Sequence, residues 1–124
     1  MEKTITDEGL EKTFALNHMS YFVLSNLFIE SFNSIKVINV SSEAHRGIKL
    51  NLDDLQNNID YFGWHAYKRS KLANIYITYE LAKKYETKDV TVNCLHPGLV
   101  NSDFANNNSL RYKIMSSLIK CFGI

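Results

Sequence analysis

The 124 residues predict an α/β fold with parallel strands. Two long stretches with apolar residues at helical intervals alternate with two short β-branched runs, and each run stops at a polar or glycine-containing turn. Helix, strand, helix, strand in that order builds a parallel crossover unit. Two strands do not make a sheet that helices can cover on both faces, so the chain is expected to be a piece of a larger sheet.

The first helix is expected from Thr6-Asp7-Glu8-Gly9, whose acidic residues suit a helix amino terminus, to about Phe32. Leu10, Phe14, Tyr21, Leu24 and Phe28 set its apolar stripe. Asn17 falls on the same stripe, where an amide is costly unless it finds hydrogen-bond partners. Lys36-Val37-Ile38-Asn39-Val40 is short and β-branched and reads as a buried strand ending at Ser41-Ser42. Residues 43–63 read as loop, with a turn of helix at Leu52-Asp53-Asp54-Leu55. The second helix runs from about Trp64 to Tyr85. The second strand, Val90 to Leu95, stops at His96-Pro97-Gly98. The segment from Leu110 to Phe122 is apolar at helical intervals and is expected to pack as a last helix.

Composition narrows the function classes. An apolar content of 45% with 22% charged residues is ordinary for a globular domain and argues against disorder. The net charge is +1, and the lysines are dispersed with no aromatic platform between them, which disfavours nucleic-acid binding. Cys94 and Cys121 are the only cysteines and neither lies in a CxxC, so a disulfide framework or a structural zinc site is not expected. Cys94-Leu95-His96 offers two ligands and nothing nearby supplies the others, so no metal is expected. A reducing, cytoplasmic setting follows as the default. The polar start at Met1-Glu2-Lys3-Thr4 does not resemble a signal peptide, and no apolar run approaches the ~20 residues that span a bilayer.

Tyr67 and Lys71 carry the clearest chemistry. Four residues apart in a helix-favouring stretch, they share one helical face. A tyrosine hydroxyl has a reference pKa of about 10, and a cation beside it favours the phenolate. A drop of three units needs roughly 4 kcal/mol, more than one lysine would supply. Such pairs are also common on solvated helix faces, and Tyr79 with Lys83 repeats the spacing, rotated roughly 120° about the same helix. Position separates the two. In open parallel sheets ligands bind beyond the carboxyl ends of the strands, where Ser41-Ser42 and Pro97-Gly98 stand. The amino-terminal half of the second helix leaves that rim, so Ser42, Tyr67 and Lys71 can converge there, whereas Tyr79 lies about 18 Å further along the axis.

Asn17-His18, Val40-Ser41-Ser42, Tyr67-Lys68-Arg69-Ser70-Lys71-Leu72-Ala73-Asn74 and His96-Pro97-Gly98-Leu99-Val100 together resemble the short-chain dehydrogenase/reductase family, in particular its retinol-dehydrogenase-like branch. The resemblance covers nearly the whole chain in the family's order. The wide Ser42-to-Tyr67 interval, Asp53-Asp54-Leu55 and Trp64 resemble the same branch. It implies a partial Rossmann-like fold, helix-strand-helix-strand-helix, with residues 1–124 as one partial domain. It implies an oxidoreductase that transfers hydride between NAD or NADP, the latter slightly favoured, and a small alcohol, aldehyde or ketone. Tyr67 would be the general acid/base, Lys71 would support it and hydrogen-bond the cofactor ribose, and Ser42 would hold the reacting oxygen. Asn17 would bind a water that relays protons toward Lys71. Pro97, Gly98 and Val100 would pass along the nicotinamide, and Ser102 would hydrogen-bond its carboxamide. Taken singly, Ser42 is also readable as a core serine, Asn17 as a satisfied buried amide and Pro97-Gly98 as a strand-ending turn.

The five glycines stand singly, so no loop offers the backbone amides that a pyrophosphate needs. The chain is accordingly expected to be an incomplete piece of such an enzyme, inactive by itself. A non-catalytic fragment that dimerises through its two long helices is the alternative. A nucleotide-sugar epimerase of the extended branch shares Tyr67 and Lys71 but fits the His-Pro-Gly-Leu-Val segment less well.

Overall fold

A computed structural model describes residues 2–98 of the chain. A helical run opens it in three parts: α1 (Lys12–Phe14), a π-helical turn (Ala15–Met19) and α2 (Ser20–Ser31). Strand β1 (Ser34–Val40), helix α3 (Gly63–Lys84) and strand β2 (Asp89–Leu95) follow. The strands pair in parallel from Ser34↔Asp89 to Val40↔Leu95, as the crossover order predicts.

The first helix starts later than the sequence suggests. Gly9 takes a left-handed φ of +82°, and Thr6 to Leu10 close a hydrogen-bonded loop instead of a helical turn. The true cap is Glu11, whose carboxylate accepts from the backbone N–H of Thr13 at 3.0 Å and of Phe14 at 2.8 Å. Glu11 is itself buried, and the Tyr61 hydroxyl donates to it at 3.2 Å.

The apolar stripe also shifts. Phe14 is buried as expected, but beyond the π turn the buried residues are Ser25 and Ile29, while Leu24 and Phe28 are about half exposed. A π turn carries one residue more than the α-helical ladder, so every later side chain moves one position around the axis. The residues meant for the core at α-helical spacing are carried outward. With Phe22, Val23 and Leu27, they leave α2 an apolar outer face.

Both helices pack on one face of the sheet. Ile29 from α2, Ile77, Leu81 and Tyr85 near the end of α3, and Val92 from β2 form the core, with Ile35, Val37 and Val90 against it. The strands alternate with period 2, and Ile38 and Leu95 on the opposite face stay exposed, so β1 is covered on one side only among the described residues. A polar relay crosses the same layer. Ser25 Oγ donates to Asn39 Oδ1 at 3.3 Å, Asn39 Nδ2 donates to Thr78 Oγ1 at 2.9 Å, and Thr78 Oγ1 donates to the Asn74 carbonyl at 2.7 Å.

The connection between β1 and α3 is pinned at two 3₁₀ turns, Glu43–His45 and Leu52–Asp54, the second where a helical turn is expected. The Asp54 carboxylate accepts from Asn58 N at 2.7 Å and Ile59 N at 3.0 Å. Buried Asn57 receives Arg69 Nη1 on its side chain and Lys3 Nζ on its carbonyl. Asp54 and Asn57 thus set the path that delivers the chain to the start of α3.

Candidate active site

The carboxyl end of β1 is joined to both neighbours through Ser41. Its backbone N–H donates to the Leu95 carbonyl at 2.8 Å and its buried hydroxyl donates to the Lys71 carbonyl at 2.7 Å. One residue thereby ties the strand ends together and presses the Lys71 turn of α3 against them, which places Ser42 at the rim. The Ser42 hydroxyl accepts from Ala44 N at 3.2 Å and its carbonyl lies 2.6 Å from His45 Nδ1.

Lys71 is 8% exposed, and its Nζ donates to the Val40 carbonyl at 3.2 Å. The ammonium stands 5.8 Å from the ring centre of Tyr67 and 5.7 Å from that of Tyr21. Burial pushes the Lys71 pKa below the usual lysine range, with charge on Cys94 working in the opposite direction. Tyr67 stacks on Trp64 with ring centres 5.3 Å apart. The twin pair is different, for Tyr79 is 72% exposed. Tyr67 is half-buried and Lys71 buried, so the two pairs differ in their surroundings.

Asn17 lies in the π turn, and its carbonyl accepts Asn74 Nδ2 at 2.8 Å. The same Nδ2 is 3.3 Å from the Val40 carbonyl that receives Lys71. Pro97 and Gly98 continue from the end of β2, both exposed. Gly98 has a φ of +74°, and a Cβ there would meet nothing within 4 Å, so glycine answers a backbone need at this turn. Val100 and Ser102 lie outside the described residues, as does the expected helix from Leu110 to Phe122.

An open groove of about 500 Å³ runs from Ser42 and His45 past Cys94 and His96 to Thr78 and Tyr79 on α3. Ser42 lines it, and Tyr67 and Lys71 do not. Groups of three or more metal-ligating side chains are absent among the described residues, and no described helix is long and apolar enough to cross a membrane. Two residues that sequence reasoning assigned no role, Ser41 and Asn74, supply much of the geometry. The signal for Asn74 was its spacing, since Tyr67, Lys71, Asn74 and Thr78 form one polar stripe at helical intervals.

The residues fit the nicotinamide-ribose end of a dinucleotide. Lys71 has three N–H donors on a buried ammonium, and the strand ends meet beside it. Among the described residues, none of Gly9, Gly47, Gly63 and Gly98 lies in a strand, glycine-rich turn and helix of the kind that cradles a pyrophosphate.

A sequence profile described as short chain dehydrogenase matches residues 1–113. Mouse retinol dehydrogenase 14 is 38% identical over 107 residues, 84% of this chain and 32% of its own. Human retinol dehydrogenase 12 is 36% identical over 121 residues, covering 93% of this chain and 38% of its own. Human polyprenol dehydrogenase is 38% identical over 107 residues, 79% of this chain and 32% of its own. The chain spans about a third of the length of these curated relatives. The crystal structure of an uncharacterized protein from Mycobacterium paratuberculosis superposes with a TM-score of 0.74 at 32% identity, over 86% of this chain and 40% of that one.

Proposed function

The chain belongs to the short-chain dehydrogenase family, and from that premise we propose that it forms the acid–base part of an oxidoreductase acting on a small alcohol, aldehyde or ketone with NAD or NADP. The observation that carries this reading is the buried Lys71 ammonium 5.8 Å from the Tyr67 ring, at the end of the strand that presents Ser42. The nicotinamide cofactor supplies or accepts the hydride when bound. Tyr67 gives or takes the proton on the substrate oxygen, and Lys71 stabilises the negative phenolic oxygen and offers donors to the ribose. Ser42 grips the reacting oxygen, as its hydroxyl both donates and accepts. Asn17 holds a relay water toward Lys71. Pro97, Gly98, Val100 and Ser102 flank the nicotinamide. The branch favours NADP slightly, and the likeness to retinol and polyprenol dehydrogenases favours an apolar alcohol.

The isolated 124 residues are proposed to turn over poorly, because the pyrophosphate finds no glycine-rich cradle in them. Two measurements test the assignment. NADPH or NADH should shield Lys71 from an amine-acylating reagent, read by peptide mass spectrometry. Wherever NAD(P)H consumption with an aldehyde panel is detectable, Tyr67→Phe should lower it by about 100-fold or more. Full rate in that variant rejects the role given to Tyr67.

A second reading, self-association through the long helices, is favoured by the apolar outer face of α2, where Leu27 and Phe32 are both more than half exposed. Size-exclusion chromatography giving a compact monomer at every concentration would count against it.

A further inference from the structure

We propose that Asn74 is a positioning residue that fixes the Lys71 ammonium and the Asn17 turn relative to each other. The proposal rests on the assignment of Lys71 to the acid–base site.

Asn74 is fully buried three residues after Lys71, on the same face of α3. Its Nδ2 reaches the Asn17 carbonyl at 2.8 Å and the Val40 carbonyl at 3.3 Å. Carbonyl oxygens only accept, so the amide orientation is determined by its partners. Its Oδ1 must then meet a donor, and His18 Nδ1 stands 3.0 Å away. Burial holds the His18 pKa below its usual value, so the ring is neutral near pH 7 and its one hydrogen sits on Nδ1. A single amide thus satisfies the backbone of the π turn, the end of β1 and an imidazole.

The link to Lys71 is the shared acceptor. The Val40 carbonyl has two lone pairs and receives Lys71 Nζ at 3.2 Å beside the Asn74 amide. Asn74 therefore competes for the oxygen that holds the ammonium and blocks the ammonium from drifting toward the first helix. The groups facing Lys71 are Tyr67 on its own helix, Tyr21 from α2 and Cys94 from β2, with His18 of the π turn behind Asn74. An amide with a purely structural task would change stability without changing the protonation of Lys71.

The test is the pH dependence of Lys71 acylation in the whole 124-residue chain, followed by mass spectrometry beside exposed Lys36 and Lys49. In Asn74→Leu the Val40 carbonyl serves Lys71 alone and packing around it relaxes; both changes favour the ammonium. The labelling midpoint should rise toward that of Lys36 and Lys49 by about half a unit or more, equivalent to a threefold change in the neutral fraction. An unchanged midpoint in a folded variant overturns the proposal. So does an equal shift in Thr78→Val, which removes a buried hydrogen bond one turn along without touching the shared carbonyl. If Asn74→Leu does not fold, Asn74→Ser, too short to bridge both carbonyls, is read in the same way. A wild-type Lys71 that NADPH or NADH does not shield from the reagent is a different result, and it removes the assignment of Lys71 to the cofactor end of the site.

Discussion

Replacing Lys71 with methionine should make the protein more stable while destroying the proposed site. The ammonium is 8% exposed, its backbone acceptor is 3.2 Å away, and a carbonyl does not neutralise a charge. Desolvating an ammonium costs several kcal/mol after relaxation. The faces of Tyr21 and Tyr67 return about 0.5–1 kcal/mol each. Methionine keeps the length and apolar stem without the charge, so a net gain of about 1–3 kcal/mol is expected near neutral pH. At roughly 4 °C per kcal/mol for a chain of this size, Tm should rise by about 4–12 °C. The pH dependence gives the sign a second check. The folded pKa of Lys71 lies below its unfolded value, so below the folded value both states are charged and the penalty is complete. As pH rises from the folded value toward about 10.5, the unfolded chain binds more protons and wild-type stability climbs toward that of the variant. The difference between the two proteins, measured by urea unfolding followed by circular dichroism from pH 7 to 10.5, should therefore shrink with pH; other alkaline groups cancel in it. A methionine variant less stable than wild type at pH 7, or a difference that does not change with pH, would refute the reasoning.

Ile29→Ala should lower stability by about 2–4 kcal/mol in the same unfolding assay, because Ile29 is 1% exposed between α3 and the sheet. Phe28→Ala, one position away and 49% exposed, should cost clearly less, and equal losses would show that the π turn does not set the stripe as described. Backbone hydrogen bonds from Asn58 and Ile59 hold the Asp54 carboxyl below the usual carboxylate range. Its stabilisation of the loop should be present above about pH 4 and lost as pH falls further through the folded value. Asp54→Asn should flatten that acid-side loss, followed by fluorescence of Trp64 at the start of α3.

Much of the architecture was legible because burial in it is periodic. Both strands ended where β-branched residues gave way to Ser41-Ser42 and His96-Pro97-Gly98, and α3 began within a residue of its expected start. The Tyr67–Lys71 pair was legible from spacing and from its distance to the strand ends. The helix start was not, since Asp7 and Glu8 look like first-turn acids while the cap is a buried Glu11 held by residues some fifty positions away. Nor was the stripe of α2, because a π turn has no compositional signature and helical periodicity assumes a constant 3.6 residues per turn. The sequence places Asn74 on the polar stripe of α3, but its task shows only in its partners, Asn17 and Val40, which the fold brings in from other elements.

The wide turn at Ala15–Met19 uncouples the angular settings of one rod. Upstream of it, Phe14 aims inward in the frame of Glu11; downstream, Ser25 and Ile29 aim inward in a frame advanced by one residue. Tightening this joint to a regular helical turn without removing a residue would turn α2 by about 100°, offering Leu24 and Phe28 to the sheet and expelling Ile29. The chain would gain a greasier seat against β1 and lose the wide turn through which Asn17 meets Asn74. The winding of this joint is thus a constraint separate from side-chain identity, and a homologue one residue shorter here keeps the inward setting of α2 but loses the wide turn itself.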